Sequence, residues 1–155
     1  MTRYEELESS VYAEDVTIYD VNFGSDRIRG LYCDGAVAIN NNIDTEAERT
    51  CVLAEELGHH HTSSGVILDQ SSTANRKQEQ VARLWAYDRL IGLHGIVSGY
   101  KAGCRSRYEL ADHLGVTEEF LQEALLTYQA KYGTAARYDG YVIYFDPGLG
   151  VMELK

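Results

Sequence analysis

From Asp44 to Gly65 the chain reads as a single capped helix, and the other elements have to be arranged around it. Thr45-Glu46-Ala47-Glu48 has the spacing of a capping box, in which the Thr hydroxyl takes the N–H three residues on and the Glu reaches back. Asp44 is the other candidate cap. Thr50, Leu53, Ala54 and Leu57 recur at intervals of three and four, the period of one buried helical face. Ser63-Ser64-Gly65 supplies the stop, so the helix is expected from about residue 45 to about residue 62. It carries Glu55, Glu56 and three consecutive histidines, His59, His60 and His61.

The segments before it predict a short acidic helix and a small sheet. Residues 2–13 place Tyr4, Leu7, Val11 and Tyr12 at helical spacing. Val16–Val21 alternates as a strand, and Asn22–Asp26 is a turn signal. Ile28–Cys33 and Ala36–Asn40 predict two strands joined at Asp34-Gly35, a pair that tolerates the positive φ angles of a tight hairpin. Asn40-Asn41-Asn42 then closes the sheet.

After the central helix, a polar stretch from Leu68 to Asn75 leads into a second long helix, from about Asn75 to Leu93. Its apolar stripe is Val81, Ala82, Trp85, Ala86, Leu90 and Ile91, with the small Ala82 and Ala86 allowing another helix to come close. Ser106–Leu114 and Thr117–Lys131 predict a helical hairpin, and Tyr138–Phe145 a strand. Asp146-Pro147-Gly148 turns the chain, and Val151–Leu154 returns as a short strand. The expected class is α+β: residues 1–95 as the core, and residues 96–155 as a helical hairpin with a C-terminal strand or hairpin, packed on the core as one compact unit.

Charge narrows the partners. A formal net charge of -10, from 24 acidic and 14 basic side chains, repels phosphate backbones and disfavours nucleic acid. It suits a basic protein partner, although solubility alone is the default reading of such acidity. Cys33, Cys51 and Cys104 are odd in number and form no CxxC, which argues for reduced thiols in the cytoplasm. The start lacks an apolar signal core and no stretch is long enough to span a bilayer, so no membrane association is expected.

Side chains four apart share a helix face, which pairs Glu55 with His59 and Glu56 with His60. Zinc peptidases with His-Glu-x-x-His on a helix bind metal through both His and move the proton of the attacking water with the Glu. Glu55-Glu56-Leu57-Gly58-His59 keeps that Glu and the second His, and has Glu55 in place of the first His. With its flanks, the run Cys51–His60 resembles the active-site helix of ImmA/IrrE-type metallo-endopeptidases. Arg76–Ala86 resembles that family's second helix, in which Glu79 takes the place of an acidic ligand. The N-terminal sheet and the later helices fit as well, so the resemblance covers essentially the whole chain. It is nearest to the short versions carried by prophages and integrative elements.

The resemblance implies a small zincin-like domain with Glu56 as general base and Glu55, His59 and Glu79 as metal ligands. The metal implied is zinc, with manganese or another divalent ion as the alternative. Two carboxylates and one imidazole cancel the charge of a divalent ion, which weakens its pull on water and shifts the site toward harder metals. His60 is the alternative ligand, paired with Glu56 in a shifted register; there Leu57 follows Glu56, so the usual base is missing. The activity implied is endopeptidase cleavage of a protein substrate, the basic helix-turn-helix repressor of a phage or integrative element. The second reading is a catalytically weak or inactive protein of the same fold that acts as an antirepressor by docking.

Tyr108–Phe120 has the look of a helix-turn-helix, but its second helix brings Glu118, Glu119 and Glu123 where DNA contacts would need cations. A hairpin that frames a cleft or docks a partner is the better reading, without direct nucleic-acid binding. Cys51 reads as core, Tyr87 as core or cleft wall, Asp88 and Arg89 as surface pairs, and His94 and His113 as isolated. None of the twelve tyrosines is singled out as an oxyanion donor.

Overall fold

The computed structural model describes residues 1–62 and 72–155, arranged as two compact units, Met1–Ala86 and Tyr87–Lys155. The expected helix stop at Ser63-Ser64-Gly65, and most of the polar stretch after it, lie outside the described residues. The class is α+β, with one small sheet toward each end of the chain.

In the first unit, α1 (Arg3–Ser10) starts at Thr2, whose Oγ1 accepts the Glu5 N–H at 3.1 Å. The helix is shorter than expected. It gives way to a 3-10 turn over Tyr12–Glu14, which leaves Tyr12 77 % exposed instead of on the buried face with Tyr4, Leu7 and Val11. The sheet follows the order β1 (Thr17–Val21), β3 (Ala36–Asn40), β2 (Gly30–Cys33), with β1 parallel and β2 antiparallel to the central β3. Asp34 (φ 46°) and Gly35 (φ 82°) make the expected tight hairpin between β2 and β3. Being central, β3 buries Val37 and Ile39 completely. Asn40 is buried too, and its Nδ2 donates to the carbonyls of Ser25 and Ile28 at 2.8 and 2.7 Å. That side chain pins the connection from β1 to β2 and satisfies a polar group that would be costly to bury alone.

The long central helix, α2 (Glu46–Thr62), begins as the sequence predicts, with Thr45 Oγ1 accepting the Glu48 N–H at 3.2 Å. Thr50, Leu53, Ala54 and Leu57 are all buried, and this face packs on α1, β2 and β3. The second long helix, α3 (Ser72–Leu90), lies against α2 where Gly58 meets Ala82; a Cβ on Gly58 would stand 2.2 Å from the Ala82 carbonyl oxygen. Ala82 and Ala86 are buried as expected, but Val81 is 52 % exposed and belongs to the opposite face.

The division between the units falls within α3, after Ala86. In the second unit, α3 stops at Leu90, before the point expected, and α4 (Gly92–Lys101) follows where no separate helix was expected. Gly92, Gly95 and Gly99 lower its intrinsic propensity. Packing compensates, because Gly95 and Gly99 admit Leu114 and Leu110 of α5 (Arg107–Leu114) against the α4 backbone. The predicted helical hairpin of α5 and α6 (Glu118–Tyr132) is present, with Ser106 and Thr117 as caps.

The C-terminal element is larger than a strand or hairpin. It is a three-stranded antiparallel sheet of β4 (Ala135–Tyr138), β5 (Tyr141–Tyr144) and β6 (Gly150–Glu153). Asp139 (φ 46°) and Gly140 (φ 81°) turn β4 into β5, splitting the run expected as one strand. Among the described residues, no helix is long and apolar enough to cross a membrane.

Candidate functional site

The histidine run at the end of α2 is divided three ways, because successive residues on a helix point in different directions. His59 faces α3, with its Nε2 3.1 Å from Glu79 Oε2; Glu79 also meets Arg83 Nε at 3.5 Å, one turn along its own helix. His60 turns to the sheet, with its Nδ1 2.7 Å from the Tyr32 hydroxyl. His61 stacks on Trp85 with ring centroids 4.5 Å apart, and its Nε2 lies 2.8 Å from Glu14 Oε2.

Gly58 explains the first contact. With no side chain at the crossing, α2 and α3 approach closely enough for the next residue, His59, to reach Glu79, which precedes Ala82 by almost one turn. Glu56 lies one residue past Glu55 and against the sheet. A Cβ on Gly30 would come within 3.1 Å of Glu56 Cγ and 2.8 Å of Val52 Cγ1, so the β2 backbone runs close against the Glu56 side-chain stem. Burial, first of all, pushes the Glu56 carboxyl up to about 7, and the charges of Glu55 and Glu79 add to the shift. Glu55 and Glu79 are thus each within electrostatic reach of Glu56, and His59 touches Glu79.

Imidazole and carboxylate are donors that a divalent cation takes. Two ligands of a tetrahedral ion with bonds of about 2.1 Å stand roughly 3.4 Å apart, and the 3.1 Å between His59 Nε2 and Glu79 Oε2 is close to that edge. A cation would also oppose the mutual repulsion that raises Glu56. Among the described residues, no three His, Cys, Asp or Glu side chains are gathered into a group that could hold an ion. His59 and Glu79 are brought together, and Glu55 reaches the cluster through its charge on Glu56.

His60, the alternative ligand, has one ring nitrogen engaged. The Gly35 N–H donates to the Tyr32 oxygen at 3.1 Å, and that same hydroxyl lies 2.7 Å from His60 Nδ1. Tyr32 and Gly30 were not singled out in the sequence. Their signal is the period of two along β2, which puts both on the less exposed face of that strand.

The sequence matches the family model described as the IrrE N-terminal-like domain, peptidase M78, over residues 7–126. The chain belongs to this family. The match takes in the whole of α2, α3 and the cluster just described, and it supports a metallopeptidase-like role with protein as the substrate class. Members of the family are typically metal-dependent. No curated protein and no solved structure matches the chain.

Proposed function

We propose that the protein is a metal-dependent endopeptidase in which Glu55, His59 and Glu79 hold a divalent ion and Glu56 is the general base. The 3.1 Å approach of His59 to Glu79, from two helices crossing at Gly58, carries this reading, together with membership of a peptidase family. When bound, the ion supplies a Lewis acid that polarises the peptide carbonyl and acidifies water. Zinc is the expected ion, and the carboxylate Glu55 makes manganese its competitor.

The chain's own contribution is proton handling. Glu56, held against the β2 backbone, takes the proton of the attacking water and passes it to the leaving amine. Without the ion this carboxyl is raised to about 7, chiefly by burial, and a bound cation would draw it down toward the ionised form that a base needs. The proposed substrate is a basic helix-turn-helix repressor of a mobile element, which the net charge of -10 would attract.

The test uses protein purified without a metal-affinity tag and followed by elemental analysis and repressor cleavage. Near-stoichiometric metal should be lost in Glu55→Ala and Glu79→Ala. Glu56→Gln should keep the metal and lose about 100-fold or more in cleavage rate. Unchanged cleavage by Glu56→Gln would sink the assignment. The presence of Glu55 where two-His sites have imidazole favours a second reading, an antirepressor that acts by docking. In that case Glu56→Gln antagonises the repressor as well as the parent chain does.

A further inference from the structure

The second unit contains an open cavity of about 530 Å³ between α4, α5, α6 and the β5–β6 connection. Its wall is apolar at Ile96, Leu110, Leu125 and Phe145. The surface continues outward over Tyr100, Leu126 and Leu149, which also line it and remain 44, 56 and 37 % exposed. Large apolar side chains left in solvent around a concavity are the usual mark of a surface that a partner covers.

Charge gives the partner a sign. The lining includes Arg105 and Arg107 and no Asp or Glu, in a chain whose acids outnumber its bases 24 to 14. Both arginines are exposed, and among the described residues neither guanidinium enters an ion pair. The nearby Glu109 carboxylate is already occupied by backbone, accepting the Arg105 N–H at 2.9 Å.

We propose that this cavity is a peptide-binding site that takes an extended protein segment combining a large apolar side chain with a nearby carboxylate. The apolar side chain fills the Ile96–Leu125–Phe145 cavity, and the carboxylate pairs with Arg105 and Arg107. A free anion would use the arginines but not the apolar rim, and a peptide segment uses both. The site lies wholly within the second unit and does not depend on the peptidase assignment.

The test is selection of a random heptapeptide display library on the full-length chain, with the recovered peptides measured by fluorescence anisotropy. Expected are sequences with Leu or Phe flanked by Asp or Glu. Affinity should fall at least tenfold on the exposed Arg105→Glu/Arg107→Glu pair, while Lys77→Glu, an exposed charge reversal in the first unit, binds as the parent does. Circular dichroism melts show whether each variant is folded. Absent enrichment, enrichment of basic peptides, or undiminished binding by the folded charge-reversed pair would overturn the proposal. Complete displacement of the peptide by millimolar acetate, which has no apolar chain, would also overturn it, pointing to a small-anion site.

Discussion

Each unit brings two helices together at a glycine, and the two crossings differ in what the glycine faces. At Gly58 an added Cβ would meet the backbone of Ala82, 2.2 Å from the oxygen and 2.9 Å from the carbonyl carbon. At Gly99 it would meet the tip of Leu110, 2.2 Å from Cδ1, with Leu110 Cγ next at 3.7 Å and Cys104 Sγ at 3.8 Å. A leucine tip can rotate away; a helix backbone cannot move without taking the helix with it. The crossing under the candidate site is therefore the rigid one. Rigidity suits a place where His59 and Glu79 must keep a fixed separation.

Gly58→Ala breaks this comparison if it is wrong. Alanine gains about 1 kcal/mol over glycine in a helix, yet the backbone overlap should leave the variant about 3 kcal/mol less stable in urea titration. Equal stability would mean that the crossing is as soft as the other one.

A somewhat smaller effect is expected at Glu56, in metal-free protein kept in chelator. Its folded-state carboxyl sits near 7, above the ordinary value of 4.5, so the unfolded chain ionises first as pH rises. Stability is full below about 4.5 and is lost as pH rises through about 7. Glu56→Gln lacks this loss, and its advantage over the parent should grow by about 2–3 kcal/mol between pH 4 and pH 8. A flat difference across that range would show that the carboxylate is not held in an unfavourable environment.

The second unit has its own buried polar anchor, and it is fully satisfied. Tyr128 is completely buried, donates to Asp88 Oδ1 at 2.9 Å and accepts the Gly92 N–H at 3.2 Å. Burial and the Asp88 carboxylate push its phenol well above the ordinary range, so it stays neutral. Tyr128→Phe should cost about 1–2 kcal/mol by orphaning that N–H, measured by the same titration. Gly99→Ala should shift stability by no more than about 1 kcal/mol in either direction, since helix propensity and the displaced leucine oppose each other. A larger loss there would erase the distinction between the crossings.

The same pair of residues was read at one hairpin and passed over at the other. Asp34-Gly35 stands between clear apolar runs, whereas Asp139-Gly140 follows Ala135-Ala136-Arg137, which shows no alternation; both adopt nearly the same positive φ angles. Helix α4 was missed because three glycines hid it, and only its leucine partners on α5 account for it. Asp88 is exposed, as its reading as a surface residue expects, and it also anchors a tyrosine forty positions away.

What the sequence determined by itself is local. The Thr45 cap, the buried face of α2 and the Asp34-Gly35 turn depend on residues within four positions of one another, and each is found where it was expected. The glutamates and histidines were legible as a helical cluster for the same reason. Which histidine meets which partner was decided only by the tertiary structure. His59 reaches Glu79 because Gly58 lets α3 approach, His60 is held by a strand tyrosine 28 positions earlier, and Glu56 is raised because β2 covers it. Those outcomes depend on backbone approach and desolvation between distant segments, quantities that no local spacing contains.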